Sequence, residues 1–145
     1  MILVSKCLLG ENCKYSGGNN RNEEVLRFLE NREYIAVCPE MMGGLSCPRS
    51  PSEITCTGEG VQVINKNWED VTKEFLNGAK RVLEIAKNSG AHTAIFKDGS
   101  PSCGVNFVYD GTFSGKKKKG CGITSALLKE NKIKVVSESE RNNIK

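Results

Sequence analysis

Three cysteines stand in polar, glycine-containing stretches that follow short apolar runs. Cys7 comes soon after "ILVS", Cys38 closes "YIAVC", and Cys103 lies in "KDGSPSCG" after "HTAIF". A cysteine thiolate is a nucleophile and a soft metal ligand, whereas a buried thiol behaves as a small apolar residue. The stretch around Cys103 is by itself compatible with all three roles, so the rest of the chain must decide between them.

The number and spacing of the cysteines restrict the kind of site. The chain has seven cysteines and one histidine, His92, in 145 residues. An odd count argues against a complete disulfide framework, and the single histidine disfavours a Cys/His catalytic pair or a mixed Cys/His zinc site. No compact C-x-x-C pair is present, which disfavours a zinc ribbon or a ferredoxin-type run. Any metal site would therefore be assembled by the fold.

The apolar runs have the composition of buried strands. Residues 2–5, 34–38 and 92–96 are continuous and rich in β-branched residues, which is typical of strands covered on both faces. Helical patterns separate the runs, the longest over residues 67–90. Strands that alternate with helices predict an α/β fold. We expect a mostly parallel, three-layer α/β/α sheet of Rossmann-like type, forming a single domain over residues 1–145.

The remaining predicted elements are shorter. Helices are expected at residues 22–32 and 122–132, and a further strand at "IKVVSE". "VQVIN" and "NFVYDG" predict short strands, the second turning at Asp110 and Gly111. The last residues, "SESERNNIK", predict a fraying tail.

The predicted sheet places the three cysteines at one edge. Open α/β sheets bind ligands at the carboxyl ends of their strands, and Cys7, Cys38 and Cys103 each lie at or just after such an end. One such cysteine alone would favour a packing role, but three at equivalent positions favour a shared site. Gly44, in the loop after Cys38, would let the backbone approach a bulky ligand. Three thiolates would leave one metal position open to a substrate.

The positions of the other cysteines in the sequence give weaker evidence for a shared site. Cys13 shares a loop with Cys7, separated from it by "LLGEN". Cys47, Cys56 and Cys121 follow no predicted strand end, and we expect structural or incidental roles for them.

Charge and hydropathy exclude some partners. No apolar run reaches membrane-spanning length, and "MILVSKCLLG" predicts a first strand rather than a signal peptide, so a cytoplasmic location is expected. The net charge is +4, and much of it comes from "KKKK" at residues 116–119. Because no aromatic residues interleave these lysines, they predict a solvated loop tip rather than a nucleic-acid patch. The oligomeric state is left open.

Several longer motifs resemble a known family. "CLLGENCKYSGG", "CPEMMGGLSCPRSPSEI", "EDVTKEFLNGA", "IFKDGSPSCG", "YDGTFSG" and "GCGITSALL" resemble, in this order, the bacterial 2-thiouracil desulfurase family. The resemblance implies a cytoplasmic, oxygen-sensitive enzyme whose [4Fe–4S] cluster is held by three cysteines. It implies Cys7, Cys38 and Cys103 as ligands, with Cys13 as the fourth candidate. Cys47 departs from the usual pattern.

The implied reaction also requires groups that move protons. A small thiolated pyrimidine such as 2-thiouracil would lose its sulfur without net redox when water attacks the C=S carbon, so a carboxylate should act as base and then acid. We expect Glu40 in this role, although pairing with Arg49 explains it equally well. Asp98 is second, although a turn-forming hydrogen bond is the simpler interpretation. Ser100 and Ser102 are candidates for contacts to the pyrimidine or the cluster.

Two other functions use the same cysteines. A non-catalytic metal-binding or redox-sensing protein would hold a cluster without turnover. A cluster-free thiol enzyme would use Cys103 as nucleophile, activated by Lys97 or a helix N-terminus.

Overall fold

The computed structural model describes residues 1–57 and 60–144, with side chains described except at 56 and 57. None of the described helices is long and apolar enough to cross a membrane. The strands are β1 (Ile2–Ser5), β2 (Tyr34–Val37), β3 (Ser52–Thr57), β4 (Gly60–Asn65), β5 (Thr93–Phe96), β6 (Phe107–Tyr109), β7 (Lys117–Lys119) and β8 (Lys134–Ser137). The α-helices are α1 (Glu23–Leu29), α2 (Pro39–Met42), α3 (Thr72–Ser89) and α4 (Ile123–Glu130), and 3₁₀ turns cover Lys6–Leu9 and Glu138–Asn143.

The central sheet is parallel and covered on both faces, as the apolar runs predicted. Its strand order is β2-β1-β5-β8, and every pairing in it is parallel. Alternate residues of one strand point to opposite faces, so Leu3 packs with Val82 and Leu128 from α3 and α4, whereas Ile2 and Val4 belong to the other apolar core. That second core includes residues of α1 and of the C-terminal segment. The predicted three-layer α/β/α arrangement is confirmed.

Two antiparallel hairpins stand beside the sheet. β3 pairs with β4, and β6 pairs with β7. The sequence predicted β4 and β6 but neither of their partners. Lys117, Lys118 and Lys119 form β7 rather than the expected loop tip, because β6 supplies the backbone hydrogen bonds that poor strand-formers require.

Helix α2 was not predicted, and it packs unusually close to α3. A Cβ added to Gly43 would lie 1.9 Å from the carbonyl oxygen of Glu74, and one added to Gly78 would lie 2.0 Å from that of Pro39. Only hydrogen atoms at both positions permit this backbone contact. It fixes the short helix, which begins directly after Cys38, against the longest helix of the fold.

The C-terminal segment forms a 3₁₀ turn and packs against the fold, where the sequence predicted a fraying tail. Ser137 and Glu140 form a reciprocal capping box at the start of the last 3₁₀ turn. Ile144 is buried in the apolar core under α1. Lys145 lies outside the described residues.

Candidate active site

The carboxyl ends of β1, β2 and β5 open into one cavity of about 560 Å³. Ser5, the last residue of β1, accepts a hydrogen bond from the backbone N–H of Lys97 just beyond β5 (3.0 Å), which joins two of the loops. Residues from all three strand-end loops line the cavity, and so do both hairpins. The lining includes Cys7, Cys13, Cys38, Cys103, Glu40, Asp98, Ser100, Ser102, Arg49, Lys97, Phe107, Tyr109 and Phe113.

Three of the four lining cysteines form a connected group. The Cys13 thiol is within hydrogen-bonding reach of both Cys7 and Cys38, and this contact lowers the pKa of each of them, that of Cys38 to about 6. Asn20 adds a hydrogen bond from its amide to the Cys7 sulfur (3.4 Å). The same contacts and burial raise the pKa of Cys13. The lowered pKa values of Cys7 and Cys38 favour their thiolate forms, and the thiolate is the form that binds metals.

Cys103 approaches the cavity from the opposite loop and is fully buried. Its backbone N–H donates to the Ser100 hydroxyl (3.0 Å), and its carbonyl accepts from Ser125 of α4 (2.9 Å). Burial raises the pKa of the Cys103 thiol. Lys97, the proposed activator, instead contacts Glu138 (3.2 Å). These features oppose a free nucleophilic thiolate at Cys103 in the absence of a bound group.

The donor set fits an iron–sulfur cluster better than a single ion. Among the described side chains, no three Cys, His, Asp or Glu residues converge closely enough to hold one metal ion. A cluster is larger than an ion, and its ligands need not converge on one point. Cys7, Cys13, Cys38 and Cys103 line one cavity, and thiolate sulfur is the ligand that such clusters require.

Glu40 presents its carboxylate to the same cavity. Arg49 donates from Nε to Oε1 of Glu40 (3.1 Å), and Ser102 donates to Oε2 (2.8 Å). Ser100 is farther from Oε2 (3.5 Å) but lies 3.0 Å from the Ser102 hydroxyl. Arg49 also donates to the carbonyl of Cys13 (2.9 Å), so one buried guanidinium links the carboxylate to the thiol-bearing loop. Glu40 can therefore pair with Arg49 and still act as an acid or base, because Arg49 contacts Oε1 and Oε2 remains hydrogen-bonded to the serine hydroxyls.

Asp98 also lines the cavity, but its carboxylate is engaged with its own loop. Oδ1 accepts backbone N–H bonds from Val105 (2.9 Å) and Asn106 (3.0 Å), and Oδ2 accepts from the Asn106 amide (2.9 Å). Burial favours a higher pKa for Asp98, but these hydrogen bonds outweigh it and hold the pKa below the usual range. The arrangement has the geometry of a side chain that shapes a loop.

The remaining predicted residues are less central. Gly44 has φ +103 and is exposed, and it is not among the described residues that line the cavity. Cys47 contacts the backbone oxygen of Asn12 (3.1 Å), and Cys121 contacts that of Val105 (3.4 Å). The side chain of Cys56 lies outside the described residues.

The sequence marks "YDGTFSG" as a segment that either closes the pocket or forms a plain turn, but it does not predict an aromatic wall of the cavity. Phe107, Tyr109 and Phe113 line it from the β6–β7 hairpin, and Glu53 lines it from β3. The alternation of Phe107 and Tyr109 in a short strand was the available signal. It did not reveal which sheet edge the hairpin would cover.

Comparisons with known proteins identify the family of this chain and a solved structure with a similar fold. The sequence model of the 2-thiouracil desulfurase family matches residues 2–140. The chain is 44% identical to the uncharacterised protein YbbK of Bacillus subtilis (strain 168), with 99% of each chain covered. It is similar to a solved structure of the [4Fe–4S]-dependent thiouracil desulfidase TudS, with a TM-score of 0.87 and 39% identity. That match covers 99% of this chain and 93% of the solved one.

Proposed function

This chain belongs to the 2-thiouracil desulfurase family, and from that premise we propose that it is a [4Fe–4S]-dependent thiouracil desulfurase. The reaction converts 2-thiouracil and water to uracil and hydrogen sulfide, so the atoms balance and no oxidant or reductant is consumed. One observation carries the proposal: four cysteines and the Glu40–Ser102 pair line the same cavity.

We propose Cys7, Cys38 and Cys103 as the cluster ligands, with Cys13 as the alternative to one of them. When bound through three cysteines, a [4Fe–4S] cluster supplies an open iron position, a soft Lewis acid for the thiocarbonyl sulfur. Cys103 reaches the cavity from one side, and the other three thiols reach it from the loops after β1 and β2. This distribution supports ligation by residues from all three loops.

The proton transfers belong to Glu40. Its Oε2 accepts from Ser102 at 2.8 Å, so a water placed beside the serines would have a carboxylate base within reach. Glu40 takes one proton of that water as its oxygen attacks the C=S carbon and gives this proton to the sulfur. As the C–S bond breaks, Glu40 takes the second proton from the new hydroxyl and gives it to the departing sulfur, which leaves a C=O group and hydrogen sulfide. Arg49 fixes the other carboxylate oxygen. Ser100 and Ser102 orient the water or the pyrimidine, and Asp98 keeps the Cys103 loop in shape.

A reducing compartment suits this site. All six cysteines with described side chains are free, which supports a cytoplasmic location because thiols remain reduced there. The partner we propose is a small thiolated pyrimidine rather than a nucleic acid.

The deciding experiment is anaerobic. Protein purified without oxygen is assayed for iron and labile sulfide, and then for sulfide release from 2-thiouracil. Both are expected. A full cluster with no turnover of any thiolated base would instead indicate a metal-binding or redox-sensing protein, and turnover that survives iron removal would indicate a thiol enzyme.

The cysteine ligands are tested one at a time. We expect Cys7→Ser, Cys38→Ser and Cys103→Ser each to lose the cluster, measured as iron per chain and visible absorbance, because a hydroxyl is a poor ligand for iron in a cluster. Cys121→Ser is the matched control and should keep its iron. If one of the three variants keeps a full cluster while Cys13→Ser loses it, Cys13 replaces that residue in the ligand set.

A further inference from the structure

The aromatic wall of the cavity has a regular construction. Phe107 and Tyr109 alternate with buried Val108 along β6, so both rings face the cavity while Val108 packs in a satellite core. Lys117 on β7 lies over the Phe107 ring, 4.6 Å from its centroid. The loop between the two strands, residues 110–116, carries a third ring, Phe113, to the same cavity.

Glu53 holds this loop against β3. Its Oε1 accepts the backbone N–H of Gly111 (2.9 Å) and that of Phe113 (3.1 Å). Gly111 has φ +92, and an added Cβ would lie 2.8 Å from the carbonyl oxygen of Ile54. One carboxylate, almost 60 residues earlier in the chain, therefore determines where the loop backbone lies.

Phe113 is held in a conformation that needs this support. Its φ of +55 lies in the left-handed region, which bulky residues rarely adopt. Its ring meets that of Trp68 edge to face, with centroids 6.1 Å apart. Trp68 is 78% exposed, so the contact does not bury a core residue. The loop is thus fixed at its backbone and at its ring, beside a cavity larger than one pyrimidine base.

We propose that Phe113 determines specificity by stacking on the flat ring of the substrate, and that Glu53 is a positioning residue acting through it. The inference rests on the proposed function, because it concerns the ring that carries the C=S group. A planar pyrimidine offers a π-face to Phe113, whereas a saturated, puckered ring with the same C=S and N–H groups does not. The C=S group, which the cluster site and Glu40 would engage, is the same in both rings, so discrimination between the two rings comes from the aromatic wall.

The test compares 2-thiouracil with 5,6-dihydro-2-thiouracil. The kcat/KM values for the two compounds are compared on the cluster-loaded enzyme, and binding to cluster-free protein is measured by calorimetry, which does not depend on turnover. The wild type is expected to bind 2-thiouracil about tenfold more tightly than the dihydro compound. Phe113→Ala should bind 2-thiouracil about 5- to 100-fold more weakly and lose the preference. Tyr34→Ala, which removes an exposed ring at the other end of the sheet, should leave both affinities unchanged.

Three further variants separate stacking from packing and from loop position. Phe113→Leu keeps an apolar side chain without a π-face and should also lose the preference. Glu53→Ala should lose it too and should shift the fluorescence of Trp68, the sole tryptophan, because Phe113 moves away. Glu53→Gln keeps a carbonyl oxygen for the same two N–H groups and should restore both the preference and the Trp68 signal.

Two results would overturn the inference. One is a wild type that shows no preference for the planar ring, including a wild type that binds neither compound. The other is a Phe113→Leu variant that keeps the full preference. The proposed function fails separately, when the loaded wild type releases no sulfide from 2-thiouracil.

Discussion

Glu40 is held by neighbours of two different kinds, and the difference matters for proton transfer. The Arg49 guanidinium contacts Oε1 and restrains the carboxylate, whereas the hydrogen bonds that Oε2 makes with the described residues come from neutral hydroxyls. A hydroxyl can donate or accept, so Ser102 and Ser100 can pass a proton without a change in charge. The side chains of Glu40 and Arg49 are only 13% and 8% exposed, so bulk water does not compete strongly for this position.

Replacing Glu40 with glutamine should separate chemistry from cofactor binding. Glu40→Gln keeps the size of the side chain but cannot accept a proton, so kcat should fall by about 10²- to 10⁴-fold. Iron and labile sulfide per chain should stay at the wild-type level, because no cysteine changes. Glu30→Gln, an exposed change at the end of α1, serves as the control. Near-wild-type turnover in Glu40→Gln would remove Glu40 from the mechanism.

At the scale of elements, the parallel sheet explains what the sequence predicted. Continuous apolar runs indicate the strands, and the rule that parallel strands end at one edge predicts that Cys7, Cys38 and Cys103 lie together. The position of Cys13 at the same edge follows from that of Cys7, because the two residues share one loop.

Other features depended on contacts distant in sequence. The pairing of Lys117–Lys119 with β6 gives a poor strand-former a partner, and the hydrogen bond that the Phe113 N–H donates to Glu53 spans 60 residues. Nothing in the local composition of either segment specifies its partner. The contact between α2 and α3 could not be predicted from local composition either. A glycine in a helical pattern indicates only a lower helix propensity, not which segment packs against it.

The contact between α2 and α3 predicts a distant mutation that disturbs the site. Gly78→Ala places a methyl group 2.0 Å from the Pro39 carbonyl, so α2 must move and take Glu40 and Cys38 with it. We expect destabilisation of about 1–3 kcal/mol in urea unfolding, and reduced iron retention. Asn77→Ala, an exposed neighbour on α3, should change neither quantity. Wild-type stability and iron content in Gly78→Ala would show that α2 tolerates displacement.

At the scale of the whole molecule, the C-terminal segment supports the active site. Glu140 accepts from the Asn106 amide (3.0 Å), which also donates to Asp98 (2.9 Å), and Glu138 accepts from the backbone N–H of Asp98 (2.9 Å). The last turn of the chain is thereby joined to the loop that carries Cys103. Ile144, directly after this turn, packs in the second apolar core with residues of α1, so the C-terminal segment supports both the site and that core.

This junction predicts acid sensitivity of the fold. Hydrogen bonds from Asn106 and Ser137 lower the pKa of Glu140, and the pKa of Asp98 is also lowered, with burial opposed by stronger hydrogen bonding. A carboxyl whose folded pKa is depressed stabilises the fold above its unfolded pKa of about 4, and this contribution is lost as the pH falls through the folded pKa. The free energy of unfolding of the cluster-free protein should therefore fall as the pH is lowered from about 5 to about 3.

The contribution of Asp98 to that decline is measurable by difference. Asp98→Asn cannot titrate, and its amide group would face the Asn106 amide, a second donor. The variant should be less stable than the wild type at pH 7, and its stability should fall less steeply below about pH 5 in urea titrations. Glu130→Gln, an exposed change at the end of α4, should follow the wild-type curve. If the curves of Asp98→Asn and wild type run parallel from pH 7 to 3, the Asp98 carboxylate does not supply the pH-dependent part of this junction, and Glu140 must be tested in its place.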